Sequence, residues 1–137
     1  MNRAKKTSQP LLVLRDTIVE SVRREGPDLS ARQLAVFLTC YLKDGAHTVR
    51  GLSELLNVSK PAITRALDRL GELDLARRKT DPLDRRSVLV QRTLKGAAFL
   101  RELGLIMDDA AAGKLSFKEE KKASLQNVTS FHSLKAG

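Results

Sequence analysis

The feature that most constrains this fold is a pair of short amphipathic segments joined by a tight turn. Leucines at helical spacing predict a first helix over residues 50–56, and Asn57-Val58 forms the expected turn. Ser59 is a favourable N-cap, and Pro61 is tolerated early in a helix because its missing N–H would have no partner there. The second helix is therefore expected from Ser59 to about Glu72.

A basic hairpin is predicted directly after these two helices. Residues 75–80 and 87–92 are typical of short strands, and residues 81–86 have the composition of a connecting loop with a turn at Asp-Pro. Two helices followed at once by a hairpin indicate a winged helix-turn-helix. The predicted fold class is mainly α with a small β wing of two or three strands, the third being a short segment at residues 47–49.

Three further helical patterns surround this pair. Apolar periodicity predicts helices over residues 11–25, 31–42 and 94–112. The segment 31–42 is apolar almost all round, so we expect it to be central in the core. A capping-box pattern at residues 116–119 predicts a last short helix that runs to about Asn127.

Basic residues dominate the charge of the chain and concentrate on the helix pair and the hairpin. The formal net charge is +9, a surplus that attracts polyanions, nucleic acid first, then anionic membranes and acidic proteins. The outward side of the second helix carries the donors Ser59, Lys60, Thr64, Arg65 and Arg69. The hairpin contributes Arg77, Arg78, Lys79, Arg85, Arg86 and Arg92 against Asp81 and Asp84.

Groove dimensions connect this pattern to DNA. A helix fits the major groove, where arginine pairs with guanine O6 and N7, and a hairpin tip reaches the minor groove, whose negative potential attracts arginine. Two structural alternatives stay open, a solvated amphipathic helix and a hairpin whose charges protect an edge strand. Two functional alternatives also stay open, a winged-helix protein-interaction module and a non-specific DNA-binding protein.

Other kinds of site are poorly supported by the sequence. Cys40 lies among apolar residues and is interpreted as a buried structural thiol in a reducing, cytoplasmic compartment. His47 and His132 lack partners at ligand spacing, so we predict no metal and no cofactor. No nucleophile–base set or phosphate-binding glycine loop is visible, so we do not expect an enzyme. The apolar run 11–14 is too short for a signal core or a membrane span.

Four segments combine into a more specific pattern: TVRGLSELL at 48–56, VSKPAITRALDRL at 58–70, DPLDRRSVLV at 81–90 and TLKG at 93–96. Together they resemble the DNA-binding lobe of the MarR (multiple antibiotic resistance regulator) family. The resemblance implies recognition-helix positions at Ser59, Lys60, Pro61, Thr64 and Arg65. It implies that Arg86 enters the minor groove and that Asp84 orients an arginine by a charge-assisted pair. It also implies a homodimer joined by its first and last helices, which binds pseudo-palindromic double-stranded DNA.

Three places depart from the family pattern. Asp74 stands where a turn glycine is usual, although aspartate tolerates the left-handed conformation. Arg92 stands where a leucine is usual, which weakens packing or adds a phosphate contact. The charged segment 118–122 puts a long C-terminal dimerisation helix in doubt.

These observations lead to one overall prediction. The chain divides into a flexible basic arm (1–10), a winged-helix domain (11–113) and a short helix with a tail (114–137). The DNA-binding lobe spans residues 46–93, and helices 11–25 and 94–112 form the dimer contact. The expected function is that of a transcriptional regulator, most simply a repressor, with no indicated small-molecule effector. Phosphate contacts are assigned to Arg50, Arg69, Arg77, Arg78 and Lys79, and Arg85 joins Arg86 on the wing.

Overall fold

A computed structural model of the chain describes the backbone of residues 2–117 and the side chains of residues 9–117. In chain order the elements are α1 (Asn2–Arg23), α2 (Ala31–Leu42), α3 (Val49–Leu56), α4 (Lys60–Glu72), β1 (Ala76–Asp81), β2 (Asp84–Arg92) and α5 (Leu94–Ala111). The predicted fold class, helices with a small β wing, is confirmed.

Side-chain caps fix the starts of four helices, because each supplies an acceptor to an otherwise unpaired N–H of the first turn. Ser30 accepts from Gln33 N over 3.1 Å, and the Gln33 side chain accepts in return from Ser30 N, which completes a capping box. The side chains of Thr48, Ser59 and Thr93 cap α3, α4 and α5 by accepting from the backbone N–H groups of Gly51, Ala62 and Gly96. The predicted starts at Ser30, Ser59 and Thr93 are confirmed.

The core lies between α2, α3, α4 and the base of the hairpin. Its largest fully buried side chains include Phe37 from α2, Leu52 from α3, and Ile63 and Leu67 from α4. Phe37 stacks against Tyr41 with ring centroids 4.5 Å apart. The prediction that the segment 31–42 is central is confirmed, since this helix contacts α4, α5 and β2.

Helix α1 packs along α5, and its start differs from the prediction. The sequence placed the start at Pro10, after a flexible arm, whereas the helix begins at Asn2 and holds Pro10 inside it. A proline inside a helix removes one backbone hydrogen bond. The segment before Pro10 holds good helix formers such as alanine and lysine, and their propensity favours helix on that side as well.

The inward side of α5 also differs slightly from the expected stripe. Ile106 and Ala110 are buried, whereas Met107, placed on the apolar stripe, is 44% exposed. A helix turns 100° per residue, so a stripe read one position off still looks amphipathic. Gly113, with φ +71°, ends the helix as predicted.

The hairpin has a tighter connection than the sequence indicated. Strands β1 and β2 pair antiparallel from Ala76↔Arg92 to Asp81↔Asp84, so Pro82 and Leu83 alone connect them. The expected six-residue loop was wrong because Asp81 ends β1 and residues 84–86, although charged, begin β2. The third strand is reduced to an isolated bridge between Thr48 and Leu89.

The predicted short helix from Phe117 to about Asn127 lies outside the described residues apart from Phe117 itself. Within the described part of the chain, no helix is both long enough and apolar enough to cross a membrane.

Candidate nucleic-acid interface

Helix α4 has one buried and one exposed side. Its apolar residues Ala62, Ile63, Ala66, Leu67 and Leu70 are buried in the core. Ser59, Lys60, Pro61 and Arg65 are exposed, and Thr64 and Arg69 are half-buried. The core therefore holds α4 from behind and leaves the predicted recognition residues on its free side.

A compact turn sets the angle between α3 and α4. Asn57 adopts the left-handed conformation, with φ 55° and ψ 46°, and ends α3. Ser53 Oγ donates to the Val58 carbonyl oxygen, and Val58 N donates to Ser53 O over 3.2 Å. These two hydrogen bonds lie within the turn itself and hold the end of α3 close to the start of α4.

Two aspartates shape the tip of the wing. Asp81 Oδ1 accepts from Leu83 N over 2.9 Å, and Asp84 Oδ1 accepts from Arg86 N over 3.1 Å. The sequence assigned Asp84 to the side chain of an arginine. Among the described residues its carboxylate holds the Arg86 backbone instead, and no ion pair involves it. The Arg85 and Arg86 side chains are exposed beside this turn.

The cations of this region fall into two groups. Four of the predicted DNA contacts already lie against a carboxylate: Arg50 with Glu54 (3.8 Å), Arg69 with Glu72 (3.1 Å), Arg77 with Asp74 (2.7 Å) and Arg78 with Asp68 (2.7 Å). Within residues 9–117, no carboxylate lies within ion-pair distance of Lys60, Arg65, Lys79, Arg85 or Arg86. We call these last five residues the unpaired cations.

The wing and α4 lie side by side. Ala76 at the start of β1 is buried, and Arg78 follows on the same face of the strand because side chains alternate. From there its guanidinium reaches Asp68 on the exposed side of α4. The helix and the wing, which both carry unpaired cations, are therefore joined directly by this ion pair.

The base of the wing is tied to α2 by polar contacts that the sequence did not predict. Tyr41 Oη donates to Leu75 O over 2.7 Å and accepts from Thr93 N over 3.0 Å. The sequence predicted that Arg92 weakens packing or contacts a phosphate, whereas in the structure its Nε donates to Cys40 O over 2.8 Å. It thus binds a carbonyl near the C-terminal end of α2, where cations are favourable.

Asp74 and Cys40 behave as predicted. Asp74 adopts the left-handed conformation with φ 58°, at the turn between α4 and the wing. Burial raises the pKa of the Cys40 thiol to about 11, which makes it a poor nucleophile at neutral pH. Among the described residues, no cluster of His, Cys, Asp and Glu side chains has metal-binding geometry.

Comparison with known proteins agrees with this architecture. Residues 27–87 match the family model of the MarR family. The transcriptional regulator Tm0710 from Thermotoga maritima has a similar structure, with a TM-score of 0.65, 21% identity, and coverage of 99% of this chain and 94% of its own. The YusO protein from Bacillus subtilis has a TM-score of 0.64 and 25% identity, with coverage of 98% and 94%. A mutant MarR from E. coli, solved in complex with operator DNA, has a TM-score of 0.55 and 23% identity, with coverage of 91% and 85%. No match was found among curated proteins.

Proposed function

We propose that this chain is a winged-helix transcriptional regulator of the MarR family, whose model matches residues 27–87, and that it binds specific sites in double-stranded DNA and acts as a repressor. The observation that carries the proposal is that α4 and the adjoining wing both expose cations without a carboxylate partner in residues 9–117. Cations without internal partners are available to phosphates and base edges.

The two parts of this region suit the two grooves. In the proposed complex α4 enters the major groove, where Lys60, Thr64 and Arg65 read base edges. Ser59 and Pro61 lie at the N-terminus of the helix, next to the DNA backbone. The wing tip enters the adjacent minor groove, where Arg86 is attracted by the narrow, negative groove of A·T-rich flanks.

Phosphate contacts supply most of the affinity in this proposal. Lys79 is an unpaired cation and contacts phosphate directly, and Arg85 does so beside the wing tip. Arg50, Arg69 and Arg77 hold exposed carboxylates, and exposed ion pairs of this kind are weak. Each of these arginines can therefore exchange its carboxylate for a phosphate. Binding should consequently fall steeply with salt.

An exposed apolar stripe on α1 supports a homodimer. Leu11, Leu14, Ile18 and Val22 share one side of this helix and are 67%, 53%, 51% and 66% exposed. A contiguous apolar surface of this kind is typical of a protein interface. Pairing of two copies through this stripe would place two α4 helices about 34–36 Å apart, on successive major grooves of a pseudo-palindromic site. A regulator of this kind would act at the chromosome, in the cytoplasm.

The proposal is tested by selection from genomic DNA. The protein is incubated with sheared DNA from its own genome at about 150 mM salt with excess non-specific competitor, and the retained fragments are sequenced. We expect a small set of inverted repeats. Broad retention without a shared motif would instead indicate a non-specific DNA-binding protein, and no retention would indicate a protein-interaction module.

A double variant, R65A/R86A, provides the control for this selection. It removes one unpaired cation from α4 and one from the wing and leaves the core and the α1 stripe intact. We expect it to lose the enriched motif while keeping weak retention at low salt. Enrichment of the same repeats by this variant would contradict the assignment of specificity to these two arginines.

A further inference from the structure

One carboxylate lies on the side of α4 that is proposed to face DNA. Asp68 follows Thr64 and Arg65 by one turn, so the three side chains share the exposed side of the helix. A negative charge at this position repels phosphates. Its presence on a DNA-facing surface therefore needs a structural explanation.

The structure supplies a partner for this carboxylate. Asp68 Oδ1 lies 2.7 Å from Arg78 Nη2, and the two side chains are 49% and 44% exposed. The other three ion pairs of this lobe, formed by Arg50, Arg69 and Arg77, join residues three or four positions apart. The pair between Asp68 and Arg78 instead connects two elements, the recognition helix and the first strand of the wing.

The wing packs against the core through Val88 and Val90 of β2, and the ion pair adds a contact from β1. β1 is paired with β2 in a two-stranded sheet, an arrangement that is marginally stable by itself. The side chains of β1 beyond Ala76 are exposed until Asp81. Among these residues of β1, Arg78 is therefore placed to hold the wing against α4, since it lies on the same face as the buried Ala76.

We propose that Asp68 and Arg78 form a positioning pair, which holds the wing at a set distance from the recognition helix and so matches the wing to the minor groove beside the helix. This inference rests on the proposed DNA-binding function. It reassigns Arg78 from phosphate contact to positioning, because its carboxylate partner lies on a different element, whereas Arg50, Arg69 and Arg77 pair with residues three or four positions away. Asp68 becomes a residue whose loss weakens DNA binding although its charge repels DNA.

Neutralising two carboxylates of α4 separately should give different changes in DNA affinity. In D68N the wing loses its anchor, and we expect affinity for the selected site to fall roughly fivefold. The control E72Q removes the same charge from the same helix but only releases Arg69, so its affinity should stay equal or rise. R78A should behave as D68N does. Both positioning variants should also lose discrimination between A·T-rich and G·C-rich flanks, although Arg86 is intact.

Two measurements separate failure of this inference from failure of the proposed function. If the wild type selects a site and D68N binds it as tightly as E72Q, the positioning pair is refuted and Arg78 is a phosphate contact. Hydrogen exchange of the protein without DNA gives a test that needs no binding site. D68N should exchange the amides of β1 and β2 faster than wild type, with α2 unchanged, whereas E72Q should leave the wing unchanged. Equal protection of the wing in D68N and wild type would overturn the inference.

The charge-swapped variant D68R/R78D addresses misfolding. It has the net charge of the wild type and can re-form the pair in the reverse direction. We expect it to recover wing protection relative to either D68R or R78D alone. Protection no better than in the single variants would contradict a direct ion pair.

Discussion

The Tyr41 hydroxyl donates a hydrogen bond to the Leu75 carbonyl oxygen over 2.7 Å, and this contact joins the central helix α2 to the start of the wing. The same oxygen accepts from Thr93 N over 3.0 Å, so the residue that follows β2 is bound to the same hydroxyl. Thr93 Oγ1 in turn donates to Asp74 O over 2.6 Å. Both strands of the wing are therefore fixed at their base to one side chain of the core.

Gly96 makes this arrangement possible, and its replacement by alanine should destabilise the protein. A Cβ at this position would overlap the Tyr41 hydroxyl and the Leu75 carbonyl oxygen. We expect Gly96→Ala to lower the free energy of unfolding by about 3 kcal/mol, measured by urea denaturation. Gly104→Ala is the matched control on the same helix, since a Cβ there meets open space. It should stabilise by roughly 0.5–1 kcal/mol. Equal effects of the two substitutions would contradict the close packing at Gly96.

Replacing Arg65 should relax base preference. Arg65 is exposed on α4 and lacks a carboxylate partner in the described structure. We expect Arg65→Ala to cost about 1–3 kcal/mol of binding to the selected site and much less on other sequences. Lys79→Ala removes the same charge from the wing and should weaken binding to all sequences alike. It should also reduce the slope of log binding constant against log salt concentration by about 1. Competition binding over a range of salt measures both. A uniform loss in Arg65→Ala would show that this residue does not read bases.

Replacing Arg86 should change the preference for the flanks of the site. Its backbone is held by Asp84, which places its side chain at the wing tip. We expect Arg86→Ala to reduce the preference for A·T-rich flanks, because the narrow minor groove would lose its inserted cation. Arg85→Ala removes the same charge from the neighbouring position and should lower affinity without changing the flank preference. An unchanged preference in Arg86→Ala would disprove the minor-groove assignment.

The apolar stripe of α1 predicts the oligomeric state. Ile18 is 51% exposed in the middle of this stripe. We expect Ile18→Glu to give a folded monomer at micromolar concentration, since an unpaired charge is costly in an apolar interface. Gln9→Glu adds the same charge on the other side of α1 and should leave the dimer intact. Sedimentation analysis distinguishes the states. A wild-type monomer, or a dimer that survives Ile18→Glu, would show that this stripe is not the dimer contact.

The buried Cys40 thiol predicts a pH dependence at the alkaline end. Desolvation raises its pKa from 9.0 to about 11, and the nearby Arg92 opposes this only in part. The contribution of the thiol to stability is fully present below pH 9 and is lost as the pH rises to about 11, because the unfolded chain releases the proton first. The unfolding free energy of the wild type should therefore fall over this interval. Cys40→Ala should lack this decrease between pH 9 and 11. If the unfolding free energies of the wild type and Cys40→Ala changed in parallel with pH, the raised pKa would be contradicted.

Local features of the sequence were sufficient to predict most of the elements. Helix starts at Ser30, Ser59 and Thr93 depend on one side chain and the next three residues, so they are readable without tertiary information. The left-handed turn at Asp74 is equally local. The central place of α2 also followed from sequence, because a helix that is apolar almost all round has to be covered on most sides.

Long-range contacts required the tertiary structure. Arg78 reaches Asp68 across two elements, and Arg92 reaches the carbonyl oxygen of Cys40 across much of the chain. Periodicity describes which side of an element is apolar, but it does not state which carboxylate or carbonyl an arginine will meet. The partition of the basic residues into paired and unpaired cations was therefore unpredictable from the sequence.

The order of the winged-helix elements, the exposed side of α4 and the basic composition of the wing were determined by the sequence, because caps, turns and apolar spacing act within a few residues of the chain. The tertiary structure decided which cations remain available, how α2 anchors the wing through Tyr41, and that the α1 stripe is left exposed. These depend on packing between distant segments, where small differences in side-chain placement determine the partner of each charge.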